Sequence, residues 1–303
     1  MKMLLLGANG QVGFELQRAL APLGELVCAT RSGRLPGGAE CSRVDMADAD
    51  ELDALLGRER PDVVVNAAAY TAVDRAEDEP AAAKAANAEA PGQLARWCEQ
   101  RDAMLVHYST DYVFDGSGRS PYRENDQTAP LGTYGRSKLT GEEAIRDSGA
   151  RHMIFRTAWV YAARGQNFLR TMLRLARERD TLRVVADQRG APTPARWIAS
   201  ATALALARQP TGQTELRLGT FHLTAGGETD WCEFARAIFS DALDAGVIDR
   251  SPQVEAIVTA DYPTRAARPS YSRLDNRRLY DVFGLRLPDW RRGVSEVMAE
   301  LVP

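Results

Sequence analysis

Tyr134 and Lys138, in the stretch TYGRSKLTGEE (133–143), have the spacing of an acid–base pair. Side chains four residues apart share one face of a helix, so the phenol and the amine project together if a helix begins near Leu131, behind Pro130. A free tyrosine has a pKa near ~10, and an adjacent ammonium would lower it while its N–H groups bind ribose hydroxyls. Only three of the 38 basic side chains are lysines, which favours a specific role for Lys138 over a surface pair.

Thr110 and Asp111 follow the apolar run MLVHYS, about 25 residues before the Tyr–Lys pair. Ligands of open α/β sheets bind beyond the carboxyl ends of the strands, so these side chains are expected at the same crevice. A threonine hydroxyl there can donate a hydrogen bond to a substrate oxygen that gains negative charge. The alternative is an ordinary helix cap.

Three glycines separate the first apolar run from an amphipathic stretch in LLLGANGQVGFEL (4–16). Glycines between a strand and a helix let the backbone turn sharply and approach a pyrophosphate, which the N–H groups of the helix N-terminus then bind. The alternative is a simple tight turn. The predicted cofactor contacts of this loop are Gly7, Gly10, Gln11, Val12 and Gly13.

The end of the second apolar run indicates which dinucleotide is bound. NAD-binding proteins usually carry an acid there for the ribose 2′-hydroxyl, whereas this chain has Thr30 and Arg31. Arginine would attract a 2′-phosphate, so the expected cofactor is NADPH, with NADH as the alternative. Further predicted contacts are Asp45, which could instead cap a helix, its neighbour Met46, and the small side chains Ala67, Ala68 and Ala69.

Strand-length apolar runs alternate with helical stretches through the first half of the chain. The runs are 2–6, 25–29, 62–66, 104–109 and 152–157, and the helical stretches are 12–20, 48–56, 81–101 and 131–146. This rhythm predicts an α/β fold with a Rossmann-like, doubly wound parallel sheet. We expect a dinucleotide-binding domain over 1–162 with a return segment near 195–225. A smaller, interleaved C-terminal substrate-binding domain would comprise about 163–194 and 226–303.

Composition excludes several classes of protein. A formal net charge of −3 without a basic stripe argues against a nucleic acid polymer as partner. Four dispersed cysteines predict reduced thiols in the cytoplasm, and three dispersed histidines lack metal-ligand spacing. The four apolar residues before the glycine loop are too few for a signal sequence or a membrane span.

The order of glycine loop, strand-end Thr and Tyr-x-x-x-Lys resembles the extended short-chain dehydrogenase/reductase family. Blocks along nearly the whole chain are similar to the dTDP-4-dehydrorhamnose reductases within it. They include GANGQVGFELQRAL, PDVVVNAAAYTAVDRAEDEP, VHYSTDYVFDG, FRTAWVYA, VVADQRGAPTP and YPTRAARPSYSRL.

The resemblance implies hydride transfer from NAD(P)H to C4 of a 4-keto-6-deoxy sugar on thymidine diphosphate, giving dTDP-L-rhamnose. It also implies that Tyr134 donates the proton, that Lys138 holds the nicotinamide ribose, and that Thr110 tunes the transfer. Asp111 and Trp159 would contact the dTDP-sugar, although Trp159 could be a core residue. Arg268 and the block from Gln188 to Thr193 would serve its diphosphate.

Two departures from the family pattern carry further predictions. Members that favour NADH tend to have Asp at position 30, which supports NADPH here. Some members dimerise around Mg²⁺ held by glutamates, but Arg196 and Arg291 fall where two of these would be. Arginine does not bind Mg²⁺, so we expect no metal at that site beside Glu15, and a monomer or weak homodimer.

Two other functions fit part of the pattern. An extended short-chain epimerase or dehydratase would retain NAD, yet dehydratases commonly carry a second acid where this chain has Tyr112. The family also resembles a regulatory subunit of methionine adenosyltransferase, in which the fold is a non-catalytic NADP-binding module. The presence of Tyr134, Lys138 and Thr110 favours chemistry.

Overall fold

A seven-stranded, all-parallel sheet organises the chain in a computed structural model that describes residues 1–209 and 217–302. The strand order is β11-β6-β5-β4-β1-β2-β3. The strands of this sheet are β1 (Lys2–Leu6), β2 (Glu25–Thr30), β3 (Ser42–Arg43), β4 (Val63–Asn66), β5 (Met104–Thr110), β6 (Arg151–Thr157) and β11 (Gly219–His222). The predicted Rossmann-like doubly wound fold is confirmed.

The sheet is buried on both faces, which explains its near-continuous apolar strands. All four residues of β4 and all seven of β5 are buried. The direction in which the chain adds strands reverses between β1 and β4, which are hydrogen-bonded neighbours. This reversal opens a crevice beyond the carboxyl ends of those strands, where ligands of doubly wound sheets bind.

Eleven helices surround the strands in the described part of the chain. They are α1 (Gln11–Leu20), α2 (Ala49–Glu59), α3 (Val73–Ala76), α4 (Pro80–Lys84), α5 (Ala90–Gln100), α6 (Thr133–Asp147), α7 (Phe168–Glu178), α8 (Ala195–Ala207), α9 (Trp231–Asp244), α10 (Arg277–Phe283) and α11 (Trp290–Ala299). Helices α1, α8 and α10 contribute to the core on one face of the sheet, and α2, α5 and α6 to the core on the other. None of the described helices is long and apolar enough to cross a membrane.

A separate apolar cluster forms where α7, α9 and α11 pack together. Beside it lies a parallel pair of strands, β8 (Thr181–Val185) and β13 (Gln253–Ile257). The remaining strands have two residues each: β7 (Val160–Tyr161), β9 (Arg189–Gly190), β10 (Thr193–Pro194) and β12 (Thr229–Asp230). Strand β11, inside the expected return segment, pairs with β6 in the large sheet. Residues 210–216 of that segment, and residue 303, lie outside the described residues, and the domain division itself stays a prediction.

Helix α6 begins two residues later than the sequence suggests. Its N-cap is Gly132, so Pro130 lies before the helix instead of in its first turn. The carboxylate of Glu77 accepts hydrogen bonds from the Thr133 backbone N–H at 2.7 Å and from the Thr133 hydroxyl at 2.8 Å. A side chain 56 residues away therefore caps the helix, which local sequence cannot reveal.

The predicted helix 81–101 is divided by a wide turn. Helix α4 ends at Lys84, a π-turn covers Ala85–Glu89, and α5 follows. A Cβ on Gly141 would lie only 2.0 Å from the Asn87 carbonyl oxygen. The backbone of α6 therefore packs directly against the backbone of the turn. The Asn87 amide also donates to the Ser137 hydroxyl at 3.1 Å, which ties the turn to the same helix.

A buried ion pair joins α6 to β6. The Arg156 guanidinium donates two hydrogen bonds to the Glu142 carboxylate, at 2.9 and 2.7 Å, and both side chains are almost fully buried. Burial opposes ionisation of Glu142, but Arg156, together with Ser109 and Arg146, outweighs it and holds the pKa of Glu142 below its usual value.

Replacing Glu142 with Gln should lower the free energy of unfolding by ~3–5 kcal/mol, because it leaves the Arg156 charge buried and unpaired. Urea unfolding followed by circular dichroism measures the loss. The control is Glu178→Gln, which removes an exposed pair with Arg174 and should cost at most about 1 kcal/mol. The stabilisation from a lowered carboxyl pKa is complete above the pKa of the unfolded chain and is lost as the pH falls from there through the lower pKa of the folded state. The cost of Glu142→Gln should therefore shrink over that pH interval. Equal losses in the two variants would contradict the role of the buried pair.

Candidate active site

Close backbone contacts shape the glycine loop between β1 and α1. Gly7 has φ +75°, and a Cβ on it would lie 2.6 Å from the Ala68 nitrogen. A Cβ on Gly13 would lie 2.1 Å from the Gly7 carbonyl oxygen. The loop therefore lies directly against the segment after β4 and against the first turn of α1, as only glycines permit.

The N-terminus of α1 can receive an anion. No side chain caps it among the described residues, and its N-cap is Gly10. The backbone N–H groups of its first turn, at Gln11, Val12 and Gly13, have no partner inside the helix. The Gln11 side chain accepts a hydrogen bond from Asn167 at 2.8 Å, and Val12 packs against the core. These backbone groups and the glycine cradle fit a dinucleotide pyrophosphate.

The loop after β2 exposes the Arg31 side chain, whereas Thr30 is buried. The Thr30 hydroxyl accepts a hydrogen bond from the Arg34 backbone N–H at 3.1 Å and lies 3.4 Å from the Ser32 hydroxyl. Its bonds are thus made inside the loop, so Thr30 shapes the turn and Arg31 is the group presented to solvent. The structure does not use Asp45 as the cap of α2, since that role belongs to Asp48.

Asp45 and Met46 lie partly buried just after β3. The Asp45 carboxylate accepts a hydrogen bond from the Ala47 backbone N–H at 3.0 Å, and Met46 packs against the core beneath α2 and α5. Ala67 and Ala68 are partly buried beside Gly7, while Ala69 is exposed. Small side chains therefore line the carboxyl end of β4, next to the glycine loop.

Tyr134 lies in the first turn of α6, partly accessible, with its ring edge-on to Tyr112 at 5.7 Å between centroids. Burial raises the pKa of Tyr134 to about 12, and the neighbouring Thr110 side chain acts to lower it. The expected lowering of this pKa by Lys138 is not seen, because the amine is engaged elsewhere. Its Nζ donates to the Tyr108 carbonyl oxygen at 2.5 Å and contacts His107.

Asp111 is almost fully buried beside Thr110, whose hydroxyl donates to its carboxylate at 3.0 Å. Burial raises the pKa of Asp111 to about 6, although the nearby Ser272 and Thr110 side chains oppose this rise. Its Oδ2 has no hydrogen-bond partner among the described residues. A buried carboxylate oxygen without a partner is costly, so it is a candidate ligand contact.

Arg268 enters the same region from the segment before α10. Its Nη2 donates to Asp74 at 2.8 Å, whereas its buried Nη1 has no partner among the described residues. Burial raises the pKa of Tyr112, and the Arg268 charge acts in the opposite direction, which places this guanidinium near the tyrosine. One guanidinium nitrogen without a partner among the described residues is thus available near Tyr112.

Trp159 stands just after β6 and forms a second group. Its φ of +48° is rare for a bulky residue and marks strain that the surroundings impose. Its ring stacks on Trp231 at 3.6 Å and 7°, and on its other side a Cβ on Gly190 would lie 2.6 Å from it. The Trp231 ring nitrogen in turn donates to Gln188 at 3.1 Å.

Glu15 is nearly buried on α1 and pairs with Arg196 at 3.7 Å. Arg196 also pairs with Glu300 at 2.8 Å, and Arg291 pairs with Glu233 at 3.7 Å. Arg196 thus neutralises Glu15 and Glu300. In the described part of the chain, no cluster of His, Cys, Asp or Glu could hold a metal ion.

The structure brings some predicted residues together and adds others. Thr110, Asp111, Tyr134 and Arg268 lie around one crevice, while Trp159 belongs to the neighbouring stack. Sequence reasoning missed Ser272, Trp231 and His107. Only Ser272 carried a signal, because it lies four residues after Arg268 in the block that includes the predicted diphosphate contact.

The fold and this crevice define an oxidoreductase of the extended short-chain dehydrogenase/reductase class. The family model for the RmlD substrate binding domain matches residues 1–302. The dTDP-4-dehydrorhamnose reductase of Burkholderia thailandensis is 47% identical, over 100% of this chain and 99% of that protein. The enzyme of the same name from Salmonella typhimurium is 44% identical, over 99% and 98%.

The structure of dTDP-4-dehydrorhamnose reductase from Bacillus anthracis in complex with NADP is also similar. It has a TM-score of 0.87 and 31% identity over 99% of both chains. The chain belongs to the dTDP-4-dehydrorhamnose reductase family.

Gly13→Ala should weaken NADPH binding at least about tenfold, because the added methyl displaces the Gly7 carbonyl and with it the backbone donors of the cradle. Titration of NADPH fluorescence measures the Kd. The control is Gly57→Ala, since a Cβ on this exposed glycine of α2 meets nothing within 4 Å. Equal affinity in the two variants would show that the loop does not hold the cofactor.

Proposed function

We propose that the protein reduces the C4 ketone of dTDP-4-dehydro-L-rhamnose to the alcohol of dTDP-L-rhamnose, with NADPH as reductant. The observation that carries this proposal is the position of Tyr134. Tyr134 lies on a helix that Lys138 holds to β5, and Thr110 at the end of that strand is its neighbour. The names of relatives 44–47% identical along the whole chain supply the substrate.

The glycine cradle and the N-terminus of α1 would hold the pyrophosphate of NADPH. Arg31 would pair with the 2′-phosphate, while Asp45, Met46 and the alanines after β4 would line the adenosine end. Lys138 would bind the nicotinamide ribose. The nicotinamide, when bound, supplies the hydride that the ketone carbon accepts.

Tyr134 would donate the proton to the sugar oxygen. A pKa of about 12 keeps the phenol protonated at neutral pH, as a proton donor must be. A ketone oxygen that gains a hydride becomes an alkoxide, which is a much stronger base than a phenolate. The Thr110 hydroxyl, which acts to lower the pKa of Tyr134, would stabilise the negative charge that develops on the phenol oxygen if it turned its proton there from Asp111.

The substrate would lie between Asp111, Arg268 and Trp159. The Asp111 Oδ2 can accept a hydrogen bond from a sugar hydroxyl, and the free Arg268 Nη1 can donate to a diphosphate oxygen. The edge of the Trp159 ring, which stacks on Trp231, would contact the sugar. The segments 163–194 and 226–303, which supply Gln188 and Arg268, would form the smaller substrate-binding domain.

Two features support an assignment to a monomer or weak homodimer in the cytoplasm. Arg196 already neutralises Glu15, and the described residues contain no acid cluster on which an Mg²⁺-bridged dimer could form. All four cysteines are free thiols, as expected in a reducing compartment.

Tyr134→Phe should lower kcat/KM by ~10²–10⁴, because the proton donor is lost. The assay follows NADPH oxidation with dTDP-4-dehydrorhamnose generated in situ. The matched control is Tyr280→Phe, which removes an exposed hydroxyl from α10 and should leave the rate unchanged. A fall below about tenfold would contradict an acid–base role for Tyr134.

The same assay separates the other functions. A reductase consumes one NADPH per sugar, an epimerase or dehydratase consumes none, and a regulatory module binds NADPH without turnover. Product formation without net NADPH loss would overturn the reductase assignment.

Arg31→Ala should reduce the preference for NADPH over NADH by ~10–100-fold, since an arginine–phosphate hydrogen bond contributes ~1.5–3 kcal/mol. The ratio of kcat/KM for the two cofactors measures it. Arg179→Ala, which removes an exposed arginine after α7, should leave the ratio unchanged. The prediction is wrong if both variants keep the wild-type ratio.

A further inference from the structure

A buried hydrogen-bonded chain runs from β4 through β5 to Lys138. Asn66 and His107 are paired residues of the two neighbouring strands. The Asn66 Nδ2 lies 3.1 Å from the His107 Nδ1, and the His107 Nε2 lies 3.2 Å from the Lys138 Nζ. All three side chains are at most 2% exposed. No role proposed above uses Asn66 or His107.

The orientation of Asn66 is fixed at its other end. The Ala68 backbone N–H donates to the Asn66 Oδ1 at 3.1 Å, so the oxygen faces the backbone and the NH₂ group faces His107. An NH₂ group is only a donor, so the His107 Nδ1 must accept. If the Asn66 side-chain amide were rotated by 180°, the Ala68 N–H would lose its acceptor and would face the NH₂ group, which is also a donor.

The Asn66 bond selects one tautomer of His107. The ring is fully buried, and burial is the main cause that lowers its pKa well below the usual value, so it is neutral. A neutral imidazole that accepts at Nδ1 carries its proton on Nε2. The Nε2–H group then points at the Lys138 nitrogen.

This arrangement is satisfied better by an uncharged amine at Lys138 than by an ammonium. An ammonium has three donors and no acceptor, so it would face the Nε2–H group donor to donor. A neutral amine accepts from Nε2–H with its lone pair and still donates to the Tyr108 carbonyl oxygen at 2.5 Å. The neighbours of Lys138 therefore disfavour its charge.

We propose that His107, oriented by Asn66, is a positioning residue that favours the uncharged amine of Lys138 and so sets the pH range in which Lys138 holds its proton. The effect of this role of His107 on turnover rests on the proposed reductase function, whereas its effect on the protonation of Lys138 is independent of that function.

The other groups around Lys138 fit this role. Burial lowers the pKa of Lys138 to about 8, and the Glu142 charge opposes the fall. Glu142 is itself paired with Arg156 and Arg146, which weakens its pull on the amine. From β5, Tyr108 presents only its carbonyl oxygen, since its hydroxyl bonds Thr202 of α8. Tyr134, the remaining titratable neighbour on α6, is neutral over this pH range.

The scarcity of lysine makes a direct test practical. Protein labelled with ¹³C at the lysine Cε carbons should give three side-chain signals, from Lys2, Lys84 and Lys138. Loss of one signal in Lys138→Met assigns it. Titration of the wild-type protein should show this signal changing with a midpoint near pH 8.

His107→Gln should move the Lys138 midpoint upward by about one pH unit, because the amide oxygen of glutamine can accept from an ammonium. Asn66→Ala should move it the same way, since His107 is then free to turn its lone pair towards Lys138. The control, His152→Gln, alters a partly buried histidine whose one hydrogen-bond partner among the described residues is the Ala150 carbonyl, and it should leave the midpoint unchanged. A midpoint that stays fixed in both test variants overturns the proposal.

The pH profile of NADPH oxidation provides the second measurement. Its alkaline limb should move in the same direction as the Lys138 signal in His107→Gln, which a purely structural role of His107 would not cause. A shift of the signal without a shift of the profile would overturn the link between the protonation of Lys138 and turnover. Absence of turnover in the wild-type protein would instead refute the reductase function and leave the titration result valid.

Discussion

The hydrogen bond from the Lys138 amine to the Tyr108 carbonyl oxygen holds the candidate site together. It joins the middle of α6 to the end of β5 inside a region from which water is excluded, so neither group has solvent as a substitute partner. Tyr134 lies one turn before this anchor, and Thr110 lies two residues after it along the strand. The distance between phenol and hydroxyl therefore follows from one buried contact.

Glycines make that anchor reachable. A Cβ on Gly135 would lie 2.3 Å from the Tyr112 carbonyl oxygen, and one on Gly141 would lie 2.0 Å from that of Asn87. Helix α6 thus lies against backbone on both sides of Lys138, close enough for the amine to reach β5. The glycines of TYGRSKLTGEE contribute to the site as much as its tyrosine and lysine, although they perform no chemistry.

The features predicted correctly from the sequence are those that depend on residues close together in the chain. Alternating apolar runs and helical stretches indicated the parallel sheet, and the glycine spacing indicated the loop before α1, because both patterns express short-range geometry. The cap that Glu77 supplies to α6, the inward turn of the Thr30 hydroxyl and the raised pKa of Tyr134 arise from residues far apart in the chain. The same holds for the tautomer of His107, which depends on an amide of another strand.

The π-turn between α4 and α5 has a consequence for insertions and deletions. Each residue of an α-helix advances the side chains by about 100°, so removing one residue from Ala85–Glu89 would rotate α5 by that angle relative to α4. Leu94 and Cys98 would then leave the core beneath the sheet. In this part of the chain the number of residues is therefore constrained as strictly as their identity.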